Sequence, residues 1–260
     1  HKGQIMIKFF VDKENITGER IYIEDREDIK HLVKVLRARP GDEVIISDKE
    51  RYEYVTEILQ IGDMEVILGI RDCHEFATEP LTKVTLYQGV PKASKLETVV
   101  QKTVELGINR IVPVFMARTV VSDKGNFLKK RDRLQKIADE AVKQCKRGII
   151  PEVTEAIGFA DMISELKSED YDKILVCYED EKGYTIKDAL RYDTEGMSLK
   201  KGSKVALIIG PEGGFEREEV EQILDEFHRK ACAVTLGKTI LRTETAGPAA
   251  LAMIMYELEL

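Results

Sequence analysis

Apolar and polar positions alternate in short runs through the first part of the chain: "RIYIED" from Arg20, "DEVIISD" from Asp42, "YEYVTEIL" from Tyr52 and "MEVILGI" from Met64. A period of two residues, interrupted at Pro40-Gly41-Asp42 and Gly62-Asp63, predicts β-strands joined by tight turns. One helix is predicted over Asp28 to Arg37, and the set reads as a small β-barrel-like domain. After "CHEFATEP", which ends at Pro80, continuous apolar runs take over: "KVTLYQGV", "RIVPVFM", "DKILVCYE", "KVALIIG" and "KACAVTLG". Stretches of helical period, "SKLETVVQKTVELG" and "RDRLQKIADEAVKQC", lie between them. Ser94 with Glu97 has capping-box spacing, and Gly107 stands where a C-cap belongs. Strands alternating with helices predict a parallel sheet covered on both faces, and so an α/β domain. The domains are drawn at 1–72 and 73–260.

In parallel α/β sheets ligands collect beyond the carboxyl ends of the strands. Two loops there are unusual, and they are expected on neighbouring strand ends. The first follows "ALIIG" and reads "GPEGGFEREEVE" from Gly210. A phosphate cradle would carry a Lys and a hydroxyl residue at the helix start. Here Glu216, Glu218 and Glu219 open the helix, so an uncharged or cationic ligand fits better than a phosphate. The second loop, "LGKTILRTETAGPAALAMIMYEL" from Leu236, carries Lys238, Arg242 and Glu244 before a final apolar helix expected to begin around Gly247-Pro248. Burying Arg242 and Glu244 is expensive unless they are paired or functional.

Composition narrows the function classes. With 260 residues, 43% hydrophobic, the chain can bury one large or two modest cores. No apolar stretch is long enough to span a bilayer, and "HKGQIMIKFF" lacks the features of a leader peptide; the position of His1 suggests that the natural chain begins near Met6. Cys73, Cys145, Cys177 and Cys232 are scattered, which predicts reduced, half-buried thiols in a cytoplasmic protein and no metal site. A net charge of −7 argues against indiscriminate coating of nucleic acid. Two basic segments nevertheless stand out, "IKHLVKVLRAR" from Ile29 and "KKRDRLQKIADEAVKQCKR" from Lys129. Either is a solvated helix face or the footprint of a selective RNA binder.

Five segments in order carry a resemblance: "HLVKVLRARPGDEVIISD", "QGVPKASKLETVVQKTVELGINRIVPV", "RLQKIADEAVKQCKRGIIPEV", "LIIGPEGGFEREEVE" and "LGKTILRTETAGPAAL". Together they resemble the RsmE-type ribosomal RNA methyltransferases of the SPOUT superfamily over nearly the whole chain. The resemblance implies a PUA-like β-barrel followed by a SPOUT α/β domain with a deep trefoil knot. It also implies a pocket for S-adenosyl-L-methionine built from Ile209, Gly210, Pro211, Glu212, Gly213, Gly214, Leu236, Gly237, Ile240, Leu241, Arg242 and Ala246.

The implied reaction is methylation of N3 of one decoding-region uridine in 16S rRNA of the small ribosomal subunit. N3 of uracil is an imide whose proton must leave as the methyl group arrives, and charge then develops on O2 and O4. Arg242 is the candidate for charge stabilisation, Glu244 for holding Arg242 or its loop, and Glu212 a weaker candidate for the base; no general base is assigned. RNA contacts are expected from Lys30, His31, Lys34, Arg37 and Arg39, and from Lys92, Lys95, Arg118 and Arg147, the last two weighted because they sit inside motifs. A homodimer is implied, with Leu251, Ile254, Met255 and Leu258 of the last helix forming either an interface stripe or core. The chain departs from the family's pattern at Thr239, where an arginine is common, and at Met116 and Ala117, which replace a serine and an acid. A related methyltransferase for another RNA, or an RNA-binding assembly factor without turnover, are the alternatives.

Overall fold

The computed structural model describes residues 4–92, 94–120, 127–191 and 198–260, without the side chains of residues 4–7, 128 and 129. The chain divides into two compact units, one formed by residues 1–79 and 142–150, the other by 80–141 and 151–260.

In the first unit, β1 (Gln4–Phe10), β2 (Ile16–Thr17), β3 (Arg20–Ile23), β4 (Glu43–Ser47), β5 (Tyr52–Ile61) and β6 (Val66–Glu75) form one sheet in the order β1-β4-β5-β6-β3-β2. The four alternating runs of the sequence are β3 to β6. Their inward positions, Ile21, Ile23, Val44, Ile46, Val66 and Leu68, build the core with Phe9, Leu32 and Ile58, as the two-residue repeat of a strand requires. β1 lies in a stretch read only for its lack of leader features, and pairs parallel to β4. The strand path does not close on itself among the described residues. The helix begins two residues earlier than expected, as α1 (Arg26–Lys30), because the Asp25 carboxylate accepts the N–H groups of Glu27 and Asp28, each at 2.9 Å. Its continuation, His31–Val35, is a widened π turn, and Arg37 ends it at φ 54°.

The second unit holds β7 (Lys83–Gly89), β8 (Arg110–Phe115), β9 (Glu152–Val153), β10 (Ile157–Gly158), β11 (Lys173–Cys177), β12 (Lys204–Ile209) and β13 (Ala231–Val234). Every pairing between these strands is parallel, in the order β10-β8-β7-β12-β11-β13 with β9 beside β8. This corrects one expectation: β12 and β13 are not neighbours, because β11 lies between them. The helices are α2 (Lys95–Glu105), α3 (Phe127–Cys145), α4 (Phe159–Ser168), α5 (Ile186–Arg191), α6 (Arg217–Glu226) and α7 (Thr243–Glu259). On one face Met162, Ile163 and Leu166 of α4 and Val220 and Ile223 of α6 pack with Tyr87, Val112, Ile174, Ala206 and Ile208. α7 lies against α2, α5, β7 and β12. Burial on both faces explains why these strands read as continuous apolar runs.

Two helix starts in this unit also differ from the sequence reading. Ser94 has φ −86° and ψ 6°, close to helical, so its hydroxyl makes no cap bond; the turn closes through the Glu97 N–H and the Ser94 carbonyl at 3.0 Å. α7 starts at Thr243, several residues before Gly247-Pro248. Pro248 therefore lies inside the helix and has no N–H to give the Glu244 carbonyl. Leu251, Ile254, Met255 and Leu258 are buried within the chain's own core, and the large apolar side chains left exposed here are Met253 and Tyr256 of α7 and Leu260 after it.

Candidate functional site

The carboxyl ends of β11, β12 and β13 open onto a cleft of about 1050 Å³. All twelve residues read as cofactor contacts line it, from Ile209 through Gly214 and from Leu236 through Ala246. The end of β11 at Cys177 and the loop after it, including Tyr178, Glu179, Asp180 and Gly183, supply a third wall that the sequence reading missed. The rule that pointed to the other two loops applies equally to the end of "DKILVCYE"; what was absent was the knowledge that β11 stands between β12 and β13.

The main chain does much of the lining. Gly89 ends β7, and a Cβ on it would meet the Pro211 nitrogen at 2.4 Å, so the "GPEGG" loop rests directly on that strand end. Gly237 has φ 127°, a region that side chains avoid, and an added Cβ there would meet nothing within 4 Å. Among the described residues the N–H groups of Leu236 and of residues 238–242 find no hydrogen-bond acceptor, leaving a row of backbone donors along the cleft.

The start of α6 is closed to a phosphate. The buried Glu219 carboxylate accepts the N–H groups of Ala117 at 2.9 Å and Glu216 at 3.0 Å, filling the positive end of the helix with the chain's own negative charge.

Charged side chains in the cleft are unevenly committed. Lys95 Nζ lies 3.1 Å from Glu212 Oε1 and 3.5 Å from Glu244 Oε2. Glu212 Oε1 also accepts the Lys92 N–H at 2.9 Å. Burial works against its ionisation, but the backbone N–H groups of Lys92 and of Glu212 itself, together with Lys95, outweigh that and hold the carboxyl below its ordinary range. Glu244 Oε2 is buried and has no hydrogen-bond partner among the described residues beyond that distant ammonium. Arg242 is exposed at the N-cap of α7 and lines the cleft, and its guanidinium has no partner among the described residues. Of the two roles expected for Glu244, holding Arg242 or its loop, no Arg242 contact is seen among the described residues, and Glu244 faces Lys95.

The sequence pattern of the RNA methyltransferase domain matches residues 77–255, and that of the RNA methyltransferase PUA domain matches residues 23–71. Ribosomal RNA small subunit methyltransferase E of Bacillus subtilis is 33% identical over 98% of both chains. The chain belongs to the ribosomal RNA small subunit methyltransferase E family. The Aquifex aeolicus relative of the same name is 32% identical over 93% of this chain and 96% of its own. The crystal structure of the Neisseria gonorrhoeae enzyme, bound to S-adenosyl methionine, superposes with a TM-score of 0.78 at 27% identity, covering 97% of this chain and 98% of that one.

The basic residues proposed for RNA in this methyltransferase fall into two groups. Lys30, Lys34, Arg37 and Arg39 are exposed in the first unit, and their side chains have no partner among the described residues. His31 is half-buried, its ring 5.9 Å from that of Phe9. Lys92 is exposed, while Lys95 is held in the cleft as described. Arg118 is committed within the second unit: it donates to both Glu216 oxygens at 2.9 and 3.1 Å and to the Gly213 carbonyl at 3.1 Å. Arg147 is buried and paired to Glu79 at 2.8 Å; that carboxylate also accepts the Gly148 and Ile149 N–H groups, at 2.8 and 3.1 Å. Burial opposes ionisation of Glu79, but Arg147 and the two N–H groups keep its carboxyl below the usual range. A buried, paired guanidinium is not presented to a phosphate, so the motif around Arg147 reports packing.

Of the four cysteines, all free, Cys73 is exposed rather than half-buried. Among the described residues no group of three or more His, Cys, Asp or Glu is placed to hold a metal ion, and no helix is long and apolar enough to cross a membrane.

Proposed function

We infer that the chain binds S-adenosylmethionine in this cleft and methylates N3 of one uridine of 16S rRNA, position 1498 in the usual numbering, within the small ribosomal subunit. The observation that carries this reading is the cleft itself: loops from three strand ends, a row of unpartnered backbone N–H groups after β13, and no phosphate site at the start of α6. An adenosine joined to a sulfonium asks for such a surface, since adenine and ribose present neutral hydrogen-bonding edges.

Bound there, S-adenosylmethionine supplies a methyl group on a sulfonium, an electrophile for a deprotonated ring nitrogen. Leu236 to Arg242 offer backbone donors to the nucleoside, and the Gly210 to Gly214 loop forms the facing wall. Arg242, with its guanidinium free at the cleft, is the donor for charge developing on O2 or O4 of the base. Glu212, its carboxyl held below the ordinary range by the Lys92 and Glu212 N–H groups and by Lys95, serves as a tether for its loop and is disfavoured as the base. Glu244 acts through Lys95 and not through Arg242. The exposed Lys30, Lys34, Arg37 and Arg39 position the RNA by phosphate contacts, and the target base leaves its stack to enter the cleft. The same reading includes a PUA-like β-barrel domain, a trefoil knot in the second unit, a cytoplasmic location and a homodimer. With the Leu251 stripe buried, the apolar dimer contacts at this end of the chain fall to Met253, Tyr256 and Leu260.

The test is to incubate the protein and methyl-labelled S-adenosylmethionine with small subunits lacking the modification, then map the label by reverse transcription, which N3-methyluridine blocks. A new stop at one decoding-region uridine, lost on Arg242→Ala, is expected. Label elsewhere, or none despite cofactor binding, overturns the substrate assignment.

A further inference from the structure

Behind the cleft, a chain of hydrogen bonds joins β7 to α7 and to the first cofactor loop. Gln88, fully buried on β7, donates from Nε2 to Thr243 Oγ1 at 2.8 Å and to the Gly89 carbonyl at 3.0 Å. Thr243, the first residue of α7 and also buried, donates from Oγ1 to the Gly210 carbonyl at 2.7 Å.

The polarity of this chain is fixed. An amide nitrogen has two hydrogens, and both are in use, so the Thr243 hydroxyl must accept from Gln88 and its single hydrogen must go to Gly210. Turning the Gln88 amide over would set its oxygen against the Gly89 carbonyl, two acceptors face to face. The cost of the observed orientation is visible: Gln88 Oε1 is buried without a partner among the described residues, and it lies 3.2 Å from where a Cβ on Gly247 would stand. Buried polar atoms are normally satisfied, so one left over beside two strong bonds marks an orientation imposed by its partners.

We propose that Thr243, oriented by Gln88, is a positioning residue that sets Arg242 and the Gly210–Gly214 loop in one register. Thr243 follows Arg242 directly, and its hydroxyl grips the residue that opens the loop. Gly89 completes the clamp from the other side, since its bare backbone lets Pro211 sit on the end of the same strand. The device would fix two walls of the cleft relative to each other, so that the cofactor and the guanidinium meet the base in one geometry. Misplacement by about 1 Å lowers rate strongly in a reaction governed by alignment. This deepens the methyltransferase reading and rests on it.

Thr243→Val keeps the shape of the side chain and removes the hydroxyl, stranding Gln88 Nε2 and the Gly210 carbonyl; Thr243→Ser keeps the hydroxyl. Binding of S-adenosylhomocysteine is measured by calorimetry, and kcat on small subunits at saturating cofactor. The expected results are about tenfold weaker binding and at least a tenfold loss of kcat for Thr243→Val, both restored to within about threefold by Thr243→Ser. Because the clamp acts through Arg242, Arg242→Ala should cost less in the Thr243→Val background than in the wild type, a coupling that general loss of stability does not produce. Should Thr243→Val fail to fold, Gln88→Met carries the same test, since it removes the orienting amide and spares the Gly210 bond. Wild-type values for Thr243→Val or Gln88→Met, or additive effects with Arg242→Ala, would overturn the clamp. Failure of the wild type to label any RNA would overturn the methyltransferase reading instead.

Discussion

The cations expected to meet RNA fall into two groups that are held in opposite ways. In the first unit, Lys30, Lys34, Arg37 and Arg39 project from one turn of irregular helix and the loop after it, with no acid claiming them. In the second, Lys95 bridges Glu212 and Glu244, and Arg118 is locked to Glu216 and Gly213. Arg147, a cation of the first unit contributed by the returning segment 142–150, behaves like the second group. Membership of a motif is therefore no guide to availability. Arg118 and Arg147 belong to motifs because they fix loops and a buried corner, while the looser cations of the first segment are the ones free to meet phosphate.

The largest expected effect tests the committed side of that contrast. Arg147→Ala leaves the Glu79 carboxylate buried with only backbone partners and should cost about 3–5 kcal/mol, read by denaturant unfolding. The sign of its pH dependence follows from the lowered Glu79 carboxyl: its contribution is complete above the ordinary glutamate value of 4.5 and is lost as pH falls through the lower native value. The variant should lack that acid-side loss, and an unchanged acid limb would break the assignment.

Next in size is the free side. Lys30→Gln with Lys34→Gln should weaken RNA binding and reduce the slope of log K against log salt by about 0.7 for each phosphate of a single strand that is no longer neutralised. Folding stability should not change, and an unaltered slope would show that these side chains are bystanders. Lys95→Met should weaken cofactor binding by less than tenfold, about 1 kcal/mol for a partly exposed pair, and let the Glu212 carboxyl rise toward its ordinary value, followed by NMR titration. Smallest of all, Arg118→Gln should leave the salt slope untouched and lower the unfolding midpoint slightly, since both partners of the pair meet solvent.

Much of the fold is legible in the order of residues. β3 to β6 follow from strict alternation, β7, β8, β11, β12 and β13 from apolar runs between helices, and Gly107 does end α2, with φ 94°. Both loops of the cleft emerged because proline, glycine and charge at a strand end have few structural uses. What could not be read is lateral order. Nothing local in "DKILVCYE" says that it will stand between β12 and β13, because strand neighbours are chosen by crossovers far away in sequence. Gln88 and Glu79 were silent for the same reason, each being defined by a partner more than 60 residues away. The start of α7 was misplaced because Pro248 looks like a first-turn residue, whereas Thr243, through its buried hydroxyl, starts the helix earlier.

The strand order also sets a schedule for synthesis. β12 occupies the slot between β7 and β11, yet it leaves the ribosome after both. At about 5–20 residues per second, roughly 2–6 s pass between the making of β11 and of the strand that joins it to β7. During that interval both edges of β11 and one edge of β7 stand unpaired. An rRNA methyltransferase of this design is thus open to capture by chaperones, or to mispairing with another nascent copy, until the strand that joins β7 to β11 has emerged.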